Sequence, residues 1–430
     1  MLLKNCKALL PEGLMDCSIL LSDGKITDIS VTPSRMDAVG EQVFDVAGKL
    51  VLPGAIDPHV HVREPGATQK EDWRTASMAA AHGGVTTMLD MPNNSPPTAT
   101  VSALREKLKL AHDKSIINYG AHIALMPGAE IAQGAQVACS GKLYLASTTG
   151  NLLVDKDAIQ KQLMTEARRA GLLVCVHAED ESMNTPAQEP MAHAAGRPAA
   201  SELSGVRRAV AMAKSCKAQL HCCHLTTAGS VSLVAAAGEM GAVTCEATPH
   251  HLHLDLSDLE RLGPYGKMNP PLRSKQEREG LLGSLGKVTC IATDHAPHMH
   301  DEKQSDGAPS GVPGLDHYFP AVLALMHRDV ISLDDVWRLT SAGAALRWGF
   351  FDKGVLAVGA DADIAVLEPK QETDLGELYT KCGWTPMVGK QLHGRVAVTI
   401  AGGTVAYDGE PDTRCRGRQV LREGAGEEND

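Results

Sequence analysis

From about residue 50 to residue 345, short runs of strand-forming residues alternate with longer stretches in which apolar residues recur three and four positions apart. This alternation predicts a parallel sheet covered by helices. The eight candidate strands lie at residues 49–56, 85–90, 118–125, 142–145, 172–176, 219–223, 243–247 and 288–293. Eight such strands can close into a barrel, which usually takes about 250 residues. We therefore predict an α/β protein with a (β/α)8 TIM-type barrel over residues 51–353, in which 70–81 and 155–169 are two of the helices.

The two ends of the chain have a different pattern. Residues 1–50 and 354–430 are rich in Val, Ile, Leu and Gly, with turn signals at SDGK, AVGAD and IAGG. We predict that both ends pair into one small β-sandwich domain. The last residues, REGAGEEND, are polar and acidic, and we expect them to be disordered.

Composition narrows the choice of partners and location. The formal net charge of -11 provides no basic surface for nucleic acid or for an anionic membrane. No run approaches about 18 apolar residues, and Pro11 and Asp16 interrupt the apolar start of the chain. Several of the eleven cysteines lie in apolar, strand-like runs, as is typical of buried thiols in a reducing compartment. We expect a cytoplasmic protein that acts on a small molecule.

Two histidines lie two positions apart where the first predicted barrel strand ends, in PGAIDPHVHVREPG at residues 53–66. Because side chains alternate along an extended strand, His59 and His61 point to the same side and can reach one cation. Such a pair also occurs as histidines that only bond backbone groups. Further residues of metal-site chemistry lie at or after other predicted strands: Lys142, His177, His224 and Asp294. These positions meet at one end of a barrel, which predicts a site for zinc or another first-row divalent ion with one position open for water.

Lys142 is the unusual member of this set, because cations repel a protonated amine. Reaction of the neutral amine with carbon dioxide would give a carbamate that can bridge two metal ions. Alternatively, Lys142 pairs with an acid or a phosphate. The residue types alone leave both interpretations open.

Nine segments together closely resemble the dihydroorotases of the amidohydrolase superfamily, over nearly the whole chain. They are PGAIDPHVHVREPG, GGVTTMLDMPNNSPP, GKLYLASTTG, VCVHAED, HCCHL, TCEATPHHLHL, MNPPLR, TDHAPH and GVPGL. The lysine in KLYLAS matches the branch with a bridging lysine, which includes the animal-type and class I enzymes. The resemblance implies a hydrolase that catalyses the reversible cyclisation of N-carbamoyl-L-aspartate to L-dihydroorotate in de novo pyrimidine biosynthesis.

The resemblance also implies a metal centre with two Zn²⁺ per chain. The implied ligands are His59, His61 and Asp294 on one ion, and His177 and His224 on the other. A carbamate on Lys142 and a hydroxide would lie between the ions. Asp294 would also be the catalytic residue that transfers the proton.

Four further positions match residues that bind the substrate in this family. The resemblance implies that Arg63, Asn93 and His298 hold the carboxylate on the ring and that Asn269 contacts the pyrimidine ring. Arginine suits a carboxylate because its guanidinium can donate two parallel hydrogen bonds. Taken singly, these residues could equally be a surface ion pair, a turn residue and a loop histidine.

Cys223 and Glu246 raise the question of a third metal. Some animal-type dihydroorotases with a Cys-His and a CE pair bind an extra zinc, and here Cys223 and Glu246 would bind it with His177 shared or nearby. Side-chain alternation argues against this, because it places Cys223 and His224 on opposite faces unless the strand has ended or bulged between them. The alternative is a buried thiol beside a glutamate that bonds the backbone or a ligand histidine.

Other functions remain open at this stage. Hydantoinase and allantoinase share the barrel, the histidine pair and the bridging lysine, but they bind rings without the same carboxylate. A non-catalytic barrel scaffold is a second alternative, although none of the six predicted metal ligands is missing. We expect a homo-oligomer, a dimer, while association with a transcarbamoylase stays an open question.

Overall fold

The computed structural model describes residues 1–32, 42–148, 150, 152–238, 241–373 and 375–423. Its strands, numbered in chain order, form two sheets. The first sheet contains β1 Leu2–Leu10, β2 Gly13–Ser22, β3 Lys25–Ser30, β4 Val43–Asp45, β5 Leu50–Pro53, β14 Ile364–Glu372, β15 His393–Ala401, β16 Thr404–Asp408 and β17 Glu410–Pro411. The two ends of the chain therefore combine in one small β unit, as predicted, and its strands lie in one sheet. We expected disorder for residues 422–430, but Arg422 is held in place, with its guanidinium donating to the Ala135 carbonyl at 2.9 Å. Residues 424–430 lie outside the described residues.

This first sheet has a hydrophobic core of its own. Leu3, Ile19, Val51, Ile364 and Ile400, from five different strands, are buried together in it. In the described part of the chain, eight of the nine strands follow one path of hydrogen bonds from β17 to β3, and β4 pairs with β1 beside that path, so the small β unit is a single continuous sheet.

The second sheet is a barrel of eight parallel strands. They are β6 Ala55–Val60, β7 Val85–Asp90, β8 Asn118–Ala124, β9 Ser140–Tyr144, β10 Val174–His177, β11 Leu220–Cys222, β12 Val243–Ala247 and β13 Cys290–Ile291. A bridge between Val60 and His295 closes the ring, with the His61 amide donating to the His295 carbonyl at 2.8 Å. The predicted (β/α)8 TIM-type barrel is confirmed.

The sequence predicts one strand at residues 49–56, but the structure has two. β5 pairs with β1 and β14 in the first sheet, whereas β6 begins the barrel. The chain passes between the sheets at Gly54, where a Cβ would lie 2.1 Å from the Thr86 side chain. A residue without a Cβ is therefore needed at this approach. The eighth strand, predicted at 288–293, is shortened to the two residues of β13.

Helices connect and cover the barrel strands. They are α1 Trp73–His82, α2 Val101–Lys114, α3 Ile131–Gly134, α4 Asp157–Arg169, α5 Pro190–Gly196, α6 Ala199–Cys216, α7 Ala228–Ala237, α8 Pro249–His253, α9 Leu256–Leu262, α10 Lys275–Leu282, α11 His300–Lys303, α12 Tyr318–His327, α13 Leu333–Trp337 and α14 Gly343–Trp348. The helix predicted at 70–81 begins at Trp73 because the Asp72 carboxylate accepts from the amides of Arg74 and Thr75 and so caps it. Among the helices described, none combines the length and the apolar character needed to span a bilayer.

A buried ion pair ties α2 to the end of β7. Lys107 Nζ lies 2.7 Å from Asp90 Oδ2, and both side chains are buried. The other oxygen of Asp90 accepts from the Val62 amide at 2.7 Å, so the pair also fixes the segment that follows β6. Burial lowers the pKa of Lys107, and the charge of Asp90 opposes that shift.

We expect Lys107→Met to lower the free energy of unfolding by about 3–5 kcal/mol, because it leaves a buried carboxylate without its cation. Urea denaturation measures this change. Lys109→Met is the matched control, since Lys109 is exposed on the same helix. A loss for Lys107→Met no larger than that of the control would contradict a structural role for the pair.

Candidate functional site

The six predicted metal ligands lie toward the carboxyl ends of the barrel strands, where active sites of such barrels form. They are His59 in β6, His61 just after it, Lys142 in β9, His177 at the end of β10, His224 after β11 and Asp294 after β13. All six side chains are buried. The barrel thus brings together residues that are distant in the sequence.

His59, His61 and Asp294 form the first cluster. Asp294 Oδ1 lies 3.0 Å from His61 Nε2 and 3.2 Å from His59 Nε2. At its other ring nitrogen, His61 donates to the side-chain oxygen of Asn93 at 2.6 Å, which leaves Nε2 free to bind a cation. Burial lowers the pKa of His61 to about 4, so its ring is neutral at pH 7. Imidazole nitrogens and a carboxylate oxygen are typical zinc ligands.

His177 and His224 form the second cluster, with His177 Nδ1 3.0 Å from His224 Nε2. The ring centroids of His59 and His224 are 5.3 Å apart, so the two clusters are neighbours. His224 Nδ1 is buried and has no hydrogen-bond partner among the described residues. A buried polar atom without a partner, in a group of facing imidazole nitrogens, fits a bound cation. The donor set therefore fits the metal centre expected from the sequence.

Lys142 lies in the strand next to the one that ends at His177. Its Nζ donates to Cys223 Sγ at 2.9 Å and lies 5.4 Å from the centre of the Tyr144 ring. Burial acts to lower the pKa of Lys142, but Cys223, Tyr144 and Glu246 outweigh burial and hold the pKa above its usual value. None of the described acidic side chains forms an ion pair with Lys142, which removes the main support for its role as the partner of an acid.

Cys223 and Glu246 lie together with His59, and not with His177 as expected. The ligand atoms of these three side chains are within 4.8 Å of one another. Glu246 contacts His59 Nδ1 and accepts from His221 Nε2 at 3.0 Å. His177 belongs to the second cluster, because its strand β10 directs it toward the residue that follows β11. Glu246 thus orients His59 in this structure.

A pocket opens next to the first cluster. It is lined by His61, Arg63, Asn93, Thr148, Asn269, Asp294, Ala296, Ser310 and Gly311. Three of the four predicted substrate-binding residues line this pocket directly. The fourth, His298, is in contact with Arg63, with 3.3 Å between Arg63 Nη2 and His298 Nε2. All four are therefore near the first cluster.

His298 lies between two cations. Lys70 Nζ is 3.2 Å from its Nδ1, and Arg63 is at the other ring nitrogen. Burial, and then the charges of Arg63 and Lys70, hold the pKa of His298 far below its usual value, so the ring is neutral. The sequence contains no sign of this role for Lys70, because the apolar periodicity around it indicates only a helix.

Two further contacts support residues of the site. His193 Nε2 lies 2.8 Å from Asn269 Oδ1, so the histidine holds the amide that faces the pocket. His177 donates from Nε2 to Glu179 at 3.1 Å, and Arg197 in turn binds Glu179. The spacing of His177 and Glu179 in VCVHAED was a signal for the second contact, whereas nothing in the sequence pointed to His193 or Arg197.

Comparison with known proteins agrees with this geometry. The family described as "Amidohydrolase family" matches residues 50–406. A protein named dihydroorotase from Methanosarcina acetivorans is 35% identical over 100% of this chain and 96% of its own length. One of the same name from Halobacterium salinarum is 38% identical over 93% of this chain and 98% of its own. The solved structure of L-hydantoinase (dihydropyrimidinase) from Arthrobacter aurescens has a TM-score of 0.92 at 27% identity and covers 98% of this chain and 99% of that chain. The chain belongs to the amidohydrolase family, in which its full-length relatives include dihydroorotases.

Proposed function

We propose that this protein is a dihydroorotase, a cyclic amide hydrolase that interconverts N-carbamoyl-L-aspartate and L-dihydroorotate in de novo pyrimidine biosynthesis. The observation that carries the proposal is Arg63, which lies in the same pocket as His61 and Asp294. The ring of dihydroorotate carries a carboxylate, and a buried guanidinium is a strong partner for it. Relatives named dihydroorotase, at 31–38% identity over at least 90% of this chain, support the same activity.

The metal centre for this activity would hold two Zn²⁺ ions. His59, His61 and Asp294 would bind the first, and His177 and His224 the second. Lys142, as a carbamate, would bridge them. When bound, the ions supply an activated water and polarise the ring carbonyl. Their charges would also oppose protonation of Lys142, which favours the neutral amine that carbamate formation requires.

Asp294 is the residue of this chain that is placed to transfer the proton, since it belongs to the first cluster and lines the pocket. In ring opening its carboxylate accepts the proton of the attacking water and delivers it to the leaving ring nitrogen. Arg63, Asn93 and His298 hold the ring carboxylate, and Asn269 contacts the ring. In ring closure the same residues act in the reverse order.

The reaction itself sets a pH dependence. Ring closure removes one carboxylate and consumes one proton. While that carboxylate is ionised, the equilibrium ratio of dihydroorotate to carbamoyl-aspartate should therefore rise about tenfold for each unit that the pH falls.

The test is a ring-closure assay on N-carbamoyl-L-aspartate, with ring opening of hydantoin and allantoin measured in parallel and the metal content determined. We expect turnover of carbamoyl-aspartate to exceed both others by far. Hydantoinase is the alternative that the likeness to L-hydantoinase favours, and faster turnover of hydantoin or allantoin would replace our proposal. A chain that binds metal and turns over none of the three would instead be a scaffold.

For Cys223 and Glu246 we expect no third zinc. Each already has a partner without a metal: Lys142 donates to Cys223 at 2.9 Å, and the two carboxylate oxygens of Glu246 contact His59 and His221. Anomalous diffraction at the zinc edge measures this directly, with Cys223→Ser as the control. We expect two peaks per chain at saturating zinc, and a peak within about 2.3 Å of the Cys223 sulfur would instead establish a third site.

We propose a cytoplasmic homodimer whose chain forms two domains. The sequence predicts these as residues 1–50 with 354–430 and residues 51–353, and because β5 pairs with β1 and β14 we place the first boundary at Gly54. Light scattering of the purified chain tests the dimer. Association with a transcarbamoylase is tested by repeating that measurement after adding the transcarbamoylase of the same cell.

A further inference from the structure

We propose that Arg197 is a positioning residue that fixes two parts of the active site at once. Through Glu179 it holds the metal ligand His177, and through the Ser147 carbonyl it holds a wall of the substrate pocket. The metal part stands on the donor set alone, and the substrate part rests on the proposed function.

The first link runs from Glu179 to His177. Glu179 is fully buried, and its Oε2 lies 3.1 Å from His177 Nε2. Glu179 also forms a buried ion pair with Arg197, so its carboxylate accepts the hydrogen bond from His177. His177 must then carry its proton on Nε2, and its Nδ1 lone pair faces His224 at 3.0 Å. Partners of this kind fix the tautomer and the orientation of a metal ligand.

The second link joins Arg197 to Glu179 and to the Ser147 carbonyl. Its Nε lies 3.1 Å and its Nη2 2.5 Å from Glu179 Oε2. The same Nη2 donates to the Ser147 carbonyl at 2.8 Å. Arg197 is almost fully buried, and its hydrogen bonds to Glu179 are shielded from water. One guanidinium thus neutralises Glu179 and binds the backbone just after β9.

Ser147 is a point where the pocket wall can be fixed. Its amide also donates to Glu181 at 2.8 Å, so the backbone is held on both sides of this residue. The next residue, Thr148, lines the pocket beside Asn93 and Asp294. A change at Arg197 should therefore reach the substrate through Thr148 as well as the metal through Glu179.

The experiment compares Arg197→Met with Arg207→Met in the zinc-loaded protein. Arg207 is the matched control, because it is an exposed arginine on α6, the helix that begins just after Arg197. Zinc release to a chromophoric chelator and the KM for N-carbamoyl-L-aspartate are measured separately. For Arg197→Met we expect zinc release and KM each to increase by roughly tenfold, the lower end of the effect that partners of metal ligands have. For Arg207→Met we expect neither to change.

Arg197→Lys separates the two links, since one ammonium can neutralise Glu179 without spanning to Ser147. We expect this variant to release zinc at the wild-type rate but to have a raised KM, and a wild-type KM would overturn the link to the pocket. Wild-type zinc release by folded Arg197→Met would overturn the link to His177. If that variant does not fold, Glu179→Gln decides the same link, with faster zinc release supporting it and wild-type release overturning it. The zinc measurements use no substrate, so they stand even if the proposed function fails.

Discussion

Replacing Lys142 by alanine is expected to abolish ring closure and to remove most of the bound metal. Lys142 is buried, lies in the strand beside that of His177, and forms no ion pair with the described acidic residues. As a carbamate it would be the one side chain shared by both ions, and its negative charge would offset the repulsion between the two cations. Metal analysis and a ring-closure assay measure the two losses.

Chemical rescue distinguishes a missing ligand from a misfolded barrel. A short carboxylic acid, supplied with bicarbonate, could occupy the space of the carbamate, so we expect it to restore part of the activity and part of the metal content of Lys142→Ala. Lys109→Ala, a change at an exposed lysine, should behave as the wild type with or without the acid. If Lys142→Ala keeps two metals per chain and full turnover, Lys142 is not the bridge.

The barrel could be predicted because each strand and helix leaves a local pattern. Apolar runs of strand length identified seven of the eight barrel strands to within a few residues. The exception is the first barrel strand. The sequence shows one largely apolar run at residues 49–56, but its first part belongs to β5 of the first sheet and its last part to β6 of the barrel. The close approach of Gly54 to Thr86, a residue distant in the sequence, marks the point where the chain passes from the first sheet to the barrel.

The sequence predicts the direction of a site side chain well where the residue lies in a regular strand. It does not predict that direction where the strand has ended and the backbone has left the extended conformation. Alternation argued against Cys223 and His224 acting together, but β11 ends at Cys222 and His224 has a left-handed φ of 38°. Neither residue is therefore subject to the period of two. Asp294 has a similar backbone, with φ 46°. Such conformations are uncommon for residues other than glycine and occur at sites that the surrounding fold holds in place.

The supporting residues were missed for a different reason. Lys70, His193 and Arg197 act through side-chain contacts between elements far apart in the chain. No spacing in the sequence records such contacts. The sequence therefore predicts which residues carry the chemistry better than it predicts which residues hold them in place.

Arg63→Met is expected to lower kcat/KM for N-carbamoyl-L-aspartate by about a hundredfold or more, because a charge-assisted contact in a pocket contributes a few kcal/mol to transition-state binding. Arg63 is buried and has a left-handed φ of 66°, and its Nη2 lies 3.3 Å from His298 Nε2. Its contacts are to His298 and the Pro297 carbonyl. We therefore expect the metal content to stay at the wild-type level, which separates this variant from Lys142→Ala.

Arg105→Met is the control, since Arg105 is exposed on α2, away from the pocket. Near-normal turnover of carbamoyl-aspartate by Arg63→Met would show that the guanidinium does not hold the substrate carboxylate. Hydantoin sharpens the comparison because its ring carries no carboxylate. A dihydroorotase should lose activity in Arg63→Met on carbamoyl-aspartate and keep whatever slow activity it has on hydantoin. In a hydantoinase, Arg63→Met should also leave the turnover of hydantoin unchanged. The two enzymes are therefore distinguished by which substrate loses activity, more than by the size of the loss.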